Sequence, residues 1–201
     1  SHINHVKGLL SMGHERGFTN MFVHAFTDGR DCDPKSGLGF VKDLESHMSA
    51  TTGKIASVIG RYFAMDRDKR WERVKLAYDV LVNAQGENFD SASKAISTSY
   101  ESGITDEFIK PIIITENGNP IAKISKDDVV ISFNFRTDRG REITEVLTQK
   151  AFPDFEMKPL DLHYITMTNY DDTFKNVHVA YDKDNVTNTM GEVLADAGKT
   201  Q

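Results

Sequence analysis

Apolar residues along this chain alternate between a helical and a strand-like spacing, and the alternation divides it into elements. Ile3, Val6, Leu9, Leu10 and Gly13 share one side of a helix over residues 1–16, which Gly17 stops. Residues 20–26 are a compact apolar run, read as a strand. Leu38, Val41, Leu44 and Met48 then mark the buried face of a helix over 36–51, with Ser36 as its cap and Thr52-Gly53 as its end. Residues 54–60 form the second strand. Strand, helix and strand at this length predict a right-handed βαβ unit with parallel strands. A helix over 70–84 buries Trp71, Val74, Ala77, Tyr78, Leu81 and Val82, and a polar break at 85–88 separates it from a shorter helix at 91–102, capped by Ser91 and ended by Gly103.

Residues 111–124 read as a hairpin turning through Asn117-Gly118, so the sheet is mixed. Residues 129–135 are rich in β-branched and aromatic side chains and predict a central strand. A charged loop at 136–141 leads to a helix ending near Lys150. Strands at 162–167 and 177–179 and a last helix at 188–197, stopped by Gly198, complete the chain. The fold class expected is α/β: three layers, α/β/α, with a mixed, mostly parallel sheet.

Composition narrows the function. A chain of 201 residues makes one domain or two small ones. A formal net charge of −6 argues against a general nucleic-acid or acidic-membrane binder. No apolar run approaches the roughly 20 residues of a membrane helix, and no signal peptide is evident. Cys32 is the single cysteine, so no internal disulfide forms and a reducing, cytoplasmic setting is expected. The chain begins without Met and stops at Gln201 directly after a helical pattern, which fits a piece of a longer protein. His2 and His5 have a spacing that suits a metal, but they lack partner ligands and read as ordinary packing or surface histidines.

The arginines change the picture more. Of nine, Arg30 stands in one place, Arg61, Arg67, Arg70 and Arg73 in a second, and Arg136, Arg139 and Arg141 in a third, while the lysines scatter. Solubility does not segregate the two residue types; a planar fork that grips carboxylate or phosphate does. Each cluster begins where a predicted strand ends, so neighbouring strands of one direction would bring the clusters to one sheet edge. Ion pairs with Asp28, Asp31, Asp66, Asp68 and Asp138 are the competing reading, but three clusters in matching positions favour an anion site. Cys32 has no histidine partner and is given no role. Asp31, a carboxylate among arginines, suits orienting a hydroxyl or exchanging a proton with it.

Three stretches together resemble one family: residues 24–31 (HAFTDGRD), 60–68 (GRYFAMDRD) and 133–139 (FNFRTDR). Residues 1–5 and 105–108 fit it too. The family is that of the cofactor-independent, 2,3-bisphosphoglycerate-independent phosphoglycerate mutases. The resemblance runs along essentially the whole chain. It implies that residues 1–201 are the inserted substrate-binding (phosphotransferase) domain, which interconverts 3-phosphoglycerate and 2-phosphoglycerate, in glycolysis and gluconeogenesis, together with a second domain. That second domain, with its nucleophilic serine and two manganese ions, has no counterpart here, so no cofactor or metal is expected on this piece and the piece alone is expected to be inactive.

Matched by motif, Arg30, Asp31, Arg61, Arg67, Arg136 and Arg139 correspond to the family's substrate-contacting residues, with the arginines on carboxylate and phosphate and Asp31 on a glycerate hydroxyl. A further substrate histidine is expected before Ser1 and a lysine after Gln201. Thr137 departs from the proline frequent in the family. The alternatives are a stand-alone anion-binding module without catalysis and a different metal phosphotransferase with a comparable insert; the second fits the Asp-Gly-Arg-Asp and Asn-Phe-Arg-Thr-Asp-Arg motifs poorly.

Overall fold

A computed structural model describes residues 2–181 and 187–200. Ser1, at the start of the first predicted helix, and Gln201 lie outside the described residues. The elements run α1 (Ile3–Glu15), β1 (Phe22–Thr27), α2 (Gly37–Ala50), β2 (Lys54–Gly60), α3 (Arg61–Ala64), α4 (Trp71–Tyr78), β3 (Glu87–Phe89), α5 (Ala92–Glu101), β4 (Ile112–Glu116), β5 (Asn119–Pro120), β6 (Val129–Ser132), α6 (Thr137–Thr148), β7 (His163–Thr166), β8 (Val177–Val179) and α7 (Met190–Asp196).

The fold is α/β, and its strands are largely parallel. They divide between two sheets. The larger has the order β1-β2-β4-β3 with β5 on β4, and the smaller has the order β6-β7-β8. The predicted βαβ unit is β1-α2-β2, paired in parallel from Phe22↔Lys54 to Thr27↔Gly60. The predicted hairpin is β4-β5, with Asn117 and Gly118 both at positive φ in the turn. The larger sheet is covered on both faces. Val6, Leu10, Val41, Leu44 and Ile96 from α1, α2 and α5 pack against Ile55, Val58, Ile112 and Ile114. On the other face, Val74, Ala77 and Tyr78 of α4 and Ile143, Val146 and Leu147 of α6 pack with Ile59 and Ile113, and this cluster reaches Tyr164 of the smaller sheet. Burying each such aliphatic side chain contributes about 1.5–3 kcal/mol, so the helices are fixed to the sheet by these contacts rather than by propensity.

The structure corrects the sequence reading in several places. The 129–135 strand is not central: it is shortened to β6 and lies at the edge of the smaller sheet, with Val129 65% exposed. Its β-branched composition reflects pairing, not depth. The polar break at 85–88 gives way at Glu87 to β3, which pairs through its backbone with β4 and needs no apolar alternation. The 70–84 helix is α-helical only to Tyr78 and widens into a π-helical turn over Asp79–Asn83, ended by Ala84 at φ 51°. Among the described residues no helix is long and apolar enough to cross a membrane.

Candidate functional site

The site lies at the carboxyl ends of β1 and β2. Because these strands are parallel neighbours in register at Thr27↔Gly60, the chain leaves both at the same edge. Gly60 passes too close to the 106–109 segment for any side chain: a Cβ there would stand 2.3 Å from the Glu107 carbonyl oxygen and 2.7 Å from the Ile109 nitrogen. Gly29, at φ 65°, is pressed against Asp106 in the same way. Thr27 Oγ1 donates to the Asp106 carbonyl at 2.7 Å, which ties the end of β1 to the same segment.

Asp106 also caps α2. Ser36 was the expected cap, but its hydroxyl donates to the Asp33 carbonyl at 2.7 Å and makes no bond to the helix amides. The Gly37 amide donates instead to Asp106 Oδ2 at 2.7 Å, the Leu38 amide to the Tyr100 hydroxyl at 3.2 Å, and Tyr100 in turn donates to Asp106. A fully buried carboxylate thus answers the first orphan donor of the helix, and the tyrosine it holds answers the second. Burial, offset by the Tyr100 and Gly37 bonds, leaves Asp106 above the usual carboxylate range.

Arg61 opens α3 directly after β2, and it is 4% exposed. Its Nη1 donates to Asp28 Oδ1 at 2.6 Å and to Asp31 Oδ2 at 2.8 Å. Asp28 Oδ1 also accepts the amides of Arg30 and Asp31 at 3.1 and 3.0 Å, which folds the loop around that oxygen. Burial pushes Asp28 up, but the Asp31 amide, Arg61 and the Arg30 amide outweigh it and hold the group below the usual range.

The third cluster lies mostly on α6 rather than in a loop: Arg136 is the residue just before the helix, which begins at Thr137 and carries Arg139 and Arg141. Asp138, in its first turn, accepts from Arg136 Nε at 2.7 Å and from Arg67 Nη1 at 2.7 Å. These two guanidiniums, Arg136 first, hold Asp138 down to about 2. Arg139 Nη1 donates to the Met65 carbonyl at 2.9 Å, and its Nε is buried with no hydrogen-bond partner. Burial, then repulsion from Arg67, Arg61 and Arg136, outweighs the attraction of Asp138 and lowers its pKa from the usual guanidinium value.

The structure therefore brings Asp31, Arg61, Arg67, Arg136 and Arg139 together, although β6 belongs to the other sheet. The joining element is α6, which packs under the larger sheet and points its amino end at the 65–70 loop. Arg30 is less engaged: it is largely exposed and donates to Glu107 at 3.2 Å. The remaining arginines turn away. Arg70 binds Asp66 and Asp68, Arg73 lies 3.9 Å over the Tyr62 ring, and Arg141 donates to the Tyr170 carbonyl. The competing ion-pair reading is met in part, because Asp28, Asp31 and Asp138 occupy three of the guanidiniums. Those pairs join separate elements, however, and Arg139 faces three other arginines with no carboxylate of its own in hydrogen-bonding contact. Such an assembly suits a ligand with several negative charges. Among the described residues no group of three or more His, Cys, Asp or Glu is placed to hold a metal ion.

Sequence reasoning did not assign the roles of Asp106, Glu107 and Glu142. Asp106 and Glu107 belong to a stretch that fits the family, but their capping and pairing partners are distant in sequence. Glu142 carried one signal, its place four residues before Val146 on the apolar face of α6.

A family model described as "BPG-independent PGAM N-terminus" matches residues 1–172. The chain belongs to this family. Relatives named 2,3-bisphosphoglycerate-independent phosphoglycerate mutase are 58% identical in Flavobacterium psychrophilum, 54% in Parabacteroides distasonis and 50% in Clostridium beijerinckii, each match covering the whole of this chain and 40% of the relative. The chain thus spans about two fifths of the length of these family members. Its fold is similar to part of a Leishmania mexicana phosphoglycerate mutase crystallised at low cobalt concentration: TM-score 0.85 and 29% identity over 97% of this chain and 38% of that one.

Proposed function

We propose that residues 1–201 are the substrate-binding domain of a phosphoglycerate mutase that interconverts 3-phosphoglycerate and 2-phosphoglycerate. The observation that carries this reading is the set of four arginines, Arg61, Arg67, Arg136 and Arg139, assembled from the end of β2, the 65–70 loop and the amino end of α6, with Arg139 making no hydrogen bond to a carboxylate. A phosphoglycerate has a carboxylate and a phosphate at opposite ends and a hydroxyl between them. Forked guanidiniums bind both ends. The ligand displaces part of the internal pairing, so Asp138 and Asp31 act as placeholders that keep the arginines gathered when the site is free.

Arg30, on the exposed side of its loop, exchanges Glu107 for substrate. Asp31 faces the glycerate hydroxyl and takes or returns its proton as the phosphoryl group leaves one oxygen and arrives on the other. The acceptor of that phosphoryl group is a serine on the rest of the longer protein, which also holds the two manganese ions; no ligand set for them exists among the described residues. The domain's own work is to retain the glycerate through the transfer, which is positioning.

The test is a mutase assay on the longer protein with manganese. We expect interconversion that does not need added 2,3-bisphosphoglycerate and an activity loss of about a hundredfold or more in Arg61→Lys, which keeps the charge and loses the fork. Absence of interconversion, or full activity in that variant, would count against the assignment.

A further inference from the structure

At the base of the 65–70 loop lies a pair of acids that the binding role does not use. Asp66 and Glu142 are 4% and 6% exposed. Asp66 organises the loop: its Oδ2 accepts the Asp68 and Arg70 amides at 2.9 and 3.0 Å, and its Oδ1 accepts from Arg70 Nη1 at 3.1 Å. Glu142 reaches across from α6, where its Oε1 accepts the Lys69 amide at 2.8 Å. That amide belongs to a residue held at φ 59°, a conformation a lysine does not choose unaided. The second oxygen of Glu142, Oε2, is buried with no hydrogen-bond partner. The two acids accept consecutive loop amides, Asp68 and Arg70 on Asp66 and Lys69 on Glu142, which sets them side by side. A carboxylate has no hydrogen to give its neighbour, whereas a carboxylic acid in the place of Glu142 has one.

We propose that a proton held between Glu142 and Asp66 latches the 65–70 loop to α6, which makes Glu142 a positioning residue for the arginine site. This rests on the binding role argued above. The loop and the helix carry opposite sides of that site, Arg67 on one and Arg136 and Arg139 at the other. Among the described residues, the other hydrogen bonds between them are Arg67 to Asp138 and Arg139 to the Met65 carbonyl, both made by the groups that must also serve a ligand. Glu142 is the link that leaves those arginines free.

Electrostatics agrees with the geometry. Burial first, then the carboxylates of Asp66 and Glu145, raise Glu142 to about 7, against the pull of the Lys69 amide. Burial also pushes Asp66 up, but the Arg70 and Asp68 amides and the Arg70 guanidinium prevail and keep it below the usual range, so the proton resides on Glu142. The charged groups facing the pair are Asp68 and Arg70 from the loop, Arg73 from α4 at 3.8 Å from Asp66, and Glu145 one turn along α6. As pH rises through about 7 the proton is lost, two buried carboxylates oppose each other and the latch opens.

The test compares the wild-type chain with Glu142→Gln, whose carbonyl still accepts from Lys69 and whose amide still donates to Asp66, without titrating. Each is titrated with 3-phosphoglycerate by calorimetry from about pH 6 to about pH 8.5; the ligand's own phosphate ionisation, near 6, is common to both and cancels in their ratio. The Lys69 amide is followed by NMR without ligand. We expect equal affinities at the acid end, a wild type several-fold weaker than the variant at the alkaline end, and a Lys69 signal that titrates near 7 in the wild type alone. Identical pH profiles in the two proteins, or a wild-type Lys69 signal that does not move, would overturn the latch. A titrating Lys69 in a chain that binds no phosphoglycerate supports the latch and removes the binding role instead.

Discussion

Arg61 and Arg139 show two ways of keeping a guanidinium inside a fold. Arg61 is buried but answered by Asp28 and Asp31, and the pairing raises its pKa despite burial. Arg139 is answered by one carbonyl and crowded by three other cations. The difference gives a prediction that separates function from stability. Arg139→Met removes repulsion and one hydrogen bond at once, so the ligand-free stability by urea unfolding should change by no more than about 1 kcal/mol. Affinity for 3-phosphoglycerate should nevertheless fall by about tenfold or more, a loss of at least about 1.4 kcal/mol. A large loss of stability would mean that Arg139 is a structural residue. The grouping of the arginines was legible in the sequence, because arginine but not lysine gathered at strand ends. Their individual states were not, since those depend on which acid stands opposite, as the contrast between Asp28 and the Met65 carbonyl shows.

At the scale of elements, the site is built by two parallel strand ends and the amino end of one helix. The βαβ unit was readable because two compact apolar runs, the second buried from Ile55 to Gly60, flank a helix that buries Val41, Leu44 and Met48 at helical spacing. The cap of α2 was not readable, because the carboxylate that supplies it, Asp106, comes from 69 residues beyond Gly37. The same segment explains Gly60. Replacing it with alanine puts a Cβ against three backbone atoms, the Glu107 and Asp106 carbonyl oxygens and the Ile109 nitrogen, all within 2.8 Å. Backbone cannot swing aside as a side chain does. Gly60→Ala should therefore cost about 1–3 kcal/mol or more in urea unfolding, and the displaced 106–109 segment should carry Glu107 away from Arg30. An unchanged unfolding midpoint would show that this contact is looser than described.

Across the whole molecule, the two sheets are joined by α6, whose buried face packs with the larger sheet and with Tyr164 of the smaller one. This is why the third arginine cluster meets the other two even though β6 is not a neighbour of β1 or β2. The sequence reading reached the same meeting point through a single sheet, which the chain does not form. Edge and centre strands of similar composition cannot be told apart by spacing alone, and only the pairing of β6 with β7 settled it. What the division into two sheets adds is a seam: Arg67 sits on one side of the junction between the 65–70 loop and α6, and Arg136 and Arg139 sit on the other, so in the proposed role binding would be tied to how that junction is held.

The most direct measurement of the central claim is a heteronuclear NMR titration of the 201-residue chain with 3-phosphoglycerate. We expect saturable shifts concentrated at Asp31, Arg61, Arg67, Arg136 and Arg139 and at the amides of the loops that carry them, lost when Arg61 is replaced by alanine. Shifts confined to residues remote from this edge, or unchanged binding in Arg61→Ala, would contradict the assignment of this site to the phosphoglycerate.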